Sequence, residues 1–423
     1  MGIRRRLVGW LGRRYLKRAG KKGLDLSALP DAALMPLRRD GLDPVAELGS
    51  VREREPISKL SLPLGINAWL VTGYAEAKTV LGKADGFSND FTNLIGNMGV
   101  SADQNPGGLG FADPPVHTRL RKLLTPEFTM RRLARLQPRI EAIVAEQLDA
   151  MAEVDGPVDL WQMFALPIPS LTICELLGVS YEDRADFQRL STARFDLFAG
   201  AGASFGAISE SLSYLSDIVK KQREEPGDGL LGMLIREHGD EIDDPELAGL
   251  ADGVLTGGLE TTASMLALGA VVLTKDTEAR RQALGDADQV NRLTEELLRY
   301  LTVVQAAFPR FAKEDLEVAG KRFGKGDTVI VSLSGANRDS VLGEDAETFD
   351  PTRQPAPHLA FGYGIHRCVG AELARMELRT AYPALLRRFP HLRLAEPDAD
   401  LAFRRTSVVY GVDALPVLLD EPK

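Results

Sequence analysis

From Asp244 to well beyond Lys275 the chain runs through helical periodicity with no proline after Pro245. Asp244 suits a helix cap and Pro245 suits a first helical position, where a missing N–H costs nothing. At about 1.5 Å per residue, some thirty residues span roughly 45 Å, the width of a whole molecule of this size. Such a helix has to cross the core, and the rest of the chain has to be arranged around it.

The surrounding pattern predicts a mainly α protein with small peripheral β-sheets. Helical periodicity dominates from about Glu127 to Ala283, broken by a loop at Arg223–Gly229. Ala68–Thr72, Thr328–Ser332 and Val408–Tyr410 read as short strands, and Asn337–Pro357 is rich in turn residues. Repeats and low-complexity tracts are absent, and nothing after residue 25 reads as an interdomain linker. We therefore expect residues 25–423 to form one domain.

Charge sets the first 24 residues apart. They carry nine Lys or Arg and no acid, against a net charge of -9 for the whole chain. Ile3, Leu7, Trp10 or Leu11, and Tyr15 recur at helical spacing among these cations, the pattern of a helix lying on an anionic membrane surface; a basic tail without a role is the alternative. The acidity of the remainder argues against nucleic-acid binding. Two cysteines, Cys174 and Cys368, give no disulfide framework and point to a reducing, cytoplasmic setting. No run of eighteen apolar residues occurs.

Chemistry concentrates at Phe361-Gly362-Tyr363-Gly364-Ile365-His366-Arg367-Cys368-Val369-Gly370, which leads into a helical pattern from Ala371. The glycines let the backbone turn tightly and approach a flat ligand, and a cysteine at a helix start is biased toward thiolate. A lone cysteine is ordinarily an inert small hydrophobe, which the glycines oppose. A dinucleotide fingerprint would need glycine where Arg367 stands, and zinc would need about four ligands where Cys368 and His366 alone lie close.

These ten residues resemble the haem-binding signature of the cytochrome P450 superfamily, and the resemblance extends over most of the chain from about Trp69. It implies the fold of that family, a triangular α-helical prism with a long central oxygen-binding helix. It also implies heme b (iron protoporphyrin IX) held by Cys368, within a cofactor site that includes Gly257, Phe361, Gly362, His366 and Gly370. The thiolate ligand favours cleavage of dioxygen. The central helix carries Gly257-Gly258-Leu259-Glu260-Thr261-Thr262; by resemblance Glu260 and Thr261 are an acid and alcohol pair that holds water and delivers protons. Haem propionates would be met by His117, Arg121, Arg310 and His358. Glu296, Arg299 and Arg353 match a structural triad that braces the cysteine loop.

The reaction implied is hydroxylation or epoxidation of an apolar small molecule such as a fatty acid, terpenoid, steroid or polyketide. By analogy the pocket draws on Leu94, Ile95, Phe195, Phe198, Leu255, Gly258, Val303, Val304 and Val408, with ordinary core packing as the alternative for each. With no flavin or nicotinamide motif in the chain, the two electrons are expected from a separate ferredoxin and its NAD(P)H-dependent reductase. The ferredoxin would dock on a basic patch of Arg121, Lys122, Arg367 and Arg375. A peroxide-driven relative and a haem-binding sensor or ligand carrier without turnover are the competing readings.

Overall fold

The structure is a computed structural model that describes residues 31–61, 67–90, 108–179, 204–397, 400–405 and 407–420. The basic leader and the pocket candidates Leu94, Ile95, Phe195 and Phe198 lie outside the described residues. Seven helices carry the argument: α1 (Val116–Leu124), α2 (Gln137–Ala152), α3 (Pro167–Leu177), α4 (Ser204–Glu224), α5 (Asp244–Lys275), α6 (Ala287–Leu301) and α7 (Ala371–Arg388).

Helix α5 is the axis. Its 32 residues extend about 48 Å, and it packs against α3, α4, α6 and α7. Asp243, not Asp244, caps it: the Asp243 side chain accepts from the Glu246 N–H at 2.8 Å, which places Asp244 and Pro245 in the first turn. By length and composition α5 could cross a membrane, but 78% of its most apolar window is buried inside the protein, so it is a core helix. Close approach to α7 depends on Gly269, where an added Cβ would fall 2.0 Å from the Tyr382 hydroxyl, itself bonded to the Met265 carbonyl.

Sheet is confined to the margin. A five-stranded sheet has the order β1 (Ile57–Ser61), β2 (Asn67–Val71), β5 (Thr328–Val331), β4 (Arg310–Ala312), β3 (Phe87–Ser88). Only β2 and β5 run parallel, with Thr328 opposite Ala68 and Val331 opposite Val71. This sheet covers its own smaller core around Trp69, Phe87 and Phe323, beside the large helical core. Val408–Tyr410 is not a strand. Val409 makes an isolated bridge to Val304, with the Tyr410 N–H on the Val303 carbonyl and the Gln305 N–H on the Val408 carbonyl. The segment ends after one bridge because Phe403 pairs with Val412, which folds it into a short C-terminal hairpin. Arg223 and Glu224 complete α4, so the loop there starts at Glu225.

Candidate functional site

The cysteine loop is a backbone construction. Gly362 and Gly364 sit at φ of +68° and +75°, a region costly for other L-residues; at Gly364 a Cβ would also meet the Leu81 carbonyl oxygen at 2.5 Å. The Cys368 N–H donates to the Phe361 carbonyl at 2.9 Å, closing the loop, and α7 begins three residues later at Ala371. The Cys368 side chain is accessible, yet burial pushes its thiol above the ordinary value. Both hold for a group that faces into a cleft lined by protein. The Gly370 N–H and the charges of Arg121, Arg367 and Arg375 oppose the rise without overcoming it. Bound iron would favour the thiolate further.

Facing this loop, α1, β4 and the loop itself bring four cationic or imidazole groups together. His117 is 2% exposed, and neither ring nitrogen has a hydrogen-bond partner among the described residues. Its ring lies 4.3 Å from that of His366. Burial, then the charges of Arg310, His117, Arg121 and Lys313, drives His366 down to about 3. Burial also lowers Arg310 to about 10, with Asp113 partly offsetting it, and lowers Arg121 and His117. A buried imidazole without a hydrogen-bond partner among the described residues, set among crowded cations, forms a site built for a multiply charged anion. The two propionates of haem fit that description, and the thiol of Cys368 fits its iron. Gly257 of α5 is exposed, and a Cβ there would meet nothing within 4 Å, so the helix leaves open space on that side.

His358 does not belong to this cluster. Its Nε2 lies 3.2 Å from Glu295 Oε2, and its Nδ1 accepts from the Ala360 N–H at 3.2 Å, so both ring nitrogens are in use and none is left for a propionate. Glu295 went unnoticed in the sequence, yet it joins α6 to α7 through Arg375 at 2.6 and 2.8 Å. Burial pushes its carboxyl up, but hydrogen bonds from Arg375 and His358 outweigh burial and hold it at about 2. Arg375 also pairs with Glu372 and lies over the Phe361 ring, which removes it from the expected basic patch. Lys122 and Arg367 are exposed, with Arg121 partly so.

Glu296, Arg299 and Arg353 do meet. Arg299 binds Glu296 through two bonds of 2.7 Å and donates to the carbonyls of Asn337, Ala346 and Thr348, while Arg353 reaches Glu296 at 3.2 Å. Asn337, missed in the sequence, accepts from the Leu359 N–H at 2.6 Å at the entrance to the cysteine loop.

On α5 the expected acid and alcohol point to different partners. Thr261 Oγ1 donates back to the Gly257 carbonyl at 2.7 Å, the usual local bond of a helical threonine. Glu260 is 4% exposed and receives Arg404 Nη1 at 3.0 Å. Burial raises its carboxyl to about 7 although Arg404 works against the rise. Of the proposed pocket residues, Leu255 and Val303 are buried in the helical core. The bare side of Gly258 faces Ile173 of α3, where a Cβ would approach to 2.9 Å, so this glycine serves helix packing. Val304 and Val408 remain partly accessible and are neighbours through the Val304–Val409 bridge.

Comparison with known proteins agrees with this geometry. A family model described as Cytochrome P450 matches residues 209–409. Cytochrome P450 165B3 of Amycolatopsis orientalis is 39% identical over 389 residues, covering 90% of this chain and 97% of the relative. Mycinamicin IV hydroxylase/epoxidase of Micromonospora griseorubida is 37% identical over 383 residues, covering 89% and 96%. Among solved structures, P450 StaH from glycopeptide antibiotic A47934 biosynthesis aligns with a TM-score of 0.82 at 40% identity, over 91% of this chain and all of that one.

Proposed function

The chain belongs to the cytochrome P450 family and is a haem-binding monooxygenase, and from that premise we propose that it hydroxylates or epoxidises an apolar natural product of the polyketide class. The observation that carries the site is the buried His117, without a hydrogen-bond partner among the described residues, against His366 of the cysteine loop and beside Arg121, whose charge acts on the accessible Cys368 thiol. Cys368 would ligate the iron, and His117, Arg121, Arg310 and His366 would hold the propionates. When bound, the haem supplies the activation of dioxygen.

The protein's own part is positioning, exclusion of water and proton supply. Val304 and Val408 present an apolar surface and so favour an apolar substrate. Glu260, poised near neutrality, would hold and release a proton at its carboxyl, and the Thr261 hydroxyl would pass it on once freed from the Gly257 carbonyl. Among the classes considered, the polyketide is taken as the first to test because one relative is named for its action on mycinamicin IV, while the likeness to StaH of glycopeptide antibiotic A47934 biosynthesis makes that antibiotic class the next. Electrons would arrive from a ferredoxin and its NAD(P)H-dependent reductase, with docking on Lys122 and Arg367; raised salt is then expected to slow reduction.

The test is an optical titration of the ferric protein with macrolides, fatty acids, terpenoids and steroids. The proposal expects a blue shift of the Soret band with macrolides at the lowest concentration. A shift with another class alone would replace the substrate assignment.

A further inference from the structure

The carboxylate of Glu260 is held from outside its own helix by a residue 144 positions away. Arg404 stands on the C-terminal hairpin, where its N–H donates to the Gly411 carbonyl at 2.9 Å. Its guanidinium has two ends. Nη1 reaches the buried Glu260, and Nε reaches Asp413 Oδ1 at 2.8 Å, whose side chain is 66% exposed. The flat face between them lies over Trp161, 4.5 Å from the ring centroid. Glycine at 411 lets the hairpin backbone close on α5: a Cβ there would sit 2.5 Å from Ser264 Oγ. One turn before and one turn after Glu260, the buried hydroxyls of Thr256 and Ser264 have no hydrogen-bond partner among the described residues.

Such a pair is a poor stabilising device, since apolar residues of similar volume ordinarily serve a core as well or better. The arrangement does provide a continuous line of polar groups from water to the middle of the central helix. It also turns the Glu260 carboxylate toward the hairpin, while Thr261 bonds to Gly257 on its own helix.

We propose that Arg404, anchored by Asp413, is the positioning residue for Glu260, and that this contact marks the route by which protons enter the oxygen-binding helix from solvent. Arg404 holds the carboxylate toward the hairpin, where it takes a proton from water entering beside the guanidinium, which keeps its own protons. Once neutral, Glu260 is bound less tightly by the guanidinium, turns to the Thr261 side and gives the proton up there, returning as carboxylate. One proton is carried per cycle and no bond other than O–H is made or broken. The inference rests on the assignment of Glu260 as the proton-delivering acid. Arg404 is the charged group that faces Glu260, so the two form the switching unit.

The experiment uses haem-loaded protein as wild type, E260Q, R404M, R404K and D413N. Its first readout, independent of turnover, is the infrared band of a protonated carboxyl that E260Q removes, followed against pH. R404M is expected to move its midpoint to higher pH by about one pH unit or more, and R404K to restore most of the wild-type value. The second readout is the peroxide released per nicotinamide oxidised, with a plant-type ferredoxin and its reductase as donor. R404M is expected to raise it several-fold toward the E260Q level, with R404K and D413N intermediate. An unmoved band and unchanged peroxide yield in R404M, with E260Q impaired, would overturn the route and leave the role of Glu260 standing. E260Q with wild-type peroxide yield would overturn that role and the route with it. Thermal melting of R404K and D413N separates either outcome from misfolding.

Discussion

Glu295 and Glu260 are the same residue type, both largely withdrawn from water on helices that pack together, yet their carboxyls lie at about 2 and about 7. Burial raises both. At Glu295 the hydrogen bonds of Arg375 and His358 overcome it; at Glu260 Arg404 reduces the rise without cancelling it. The side that carries Cys368 is thus built from charges that stay fixed across physiological pH. The opposite helix carries a carboxyl able to change its charge there. A ligand loop has to be rigid and a proton donor has to titrate, and the count of cationic partners separates the two.

The contrast breaks first at the bracing triad. Glu296→Ala leaves Arg299 buried and unpaired, and is expected to cost about 3–5 kcal/mol in denaturant unfolding. Glu295→Gln comes next. A carboxyl lowered from 4.5 to about 2 stabilises the fold above about pH 4.5, and that contribution is lost as pH falls through 2. Wild type should therefore exceed E295Q by about 2–3 kcal/mol at pH 7, with the gap closing toward pH 2. Glu260→Gln should show the opposite sign. A carboxyl raised from 4.5 to about 7 costs nothing below 4.5 and its full penalty above 7. Relative to wild type, E260Q should gain up to about 2 kcal/mol between pH 5 and pH 8, a comparison readable from parallel melting curves.

The smallest effect sharpens the two faces of α5. Gly258→Ala presses on Ile173, whereas Gly257→Ala meets only open space. The second should raise apoprotein stability by roughly 1 kcal/mol through helix propensity, yet weaken haem binding in a haem titration. Equal haem affinity in G257A and wild type would place the cofactor elsewhere.

Much of this was legible in the chain because it is local. The cysteine loop depends on glycines within ten residues, and α5 on a proline-free periodic run. Glu296 and Arg299 are one turn apart on α6. What escaped is tertiary. Arg404 bears no pattern that ties it to Glu260, and Glu295 reads as one of two adjacent acids until α7 delivers Arg375. His358 looked like a propionate ligand because its sequence neighbours are cofactor residues, but Glu295 claims it first. Gly257 and Gly258 look alike in sequence and differ by the 100° of rotation between adjacent helical residues, which turns one to open space and the other to α3. The cap moved by one residue because either aspartate satisfies the pattern and only the bond to the Glu246 N–H decides.

The central claim is that Cys368 ligates a haem iron set against the His117, Arg121, Arg310 and His366 cluster. The most direct measurement is the carbon monoxide difference spectrum of the reduced, haem-loaded protein beside Cys368→His. Wild type should show the red-shifted Soret band of thiolate ligation, and the variant should retain haem while losing that band. The same spectrum from both proteins would contradict the assignment.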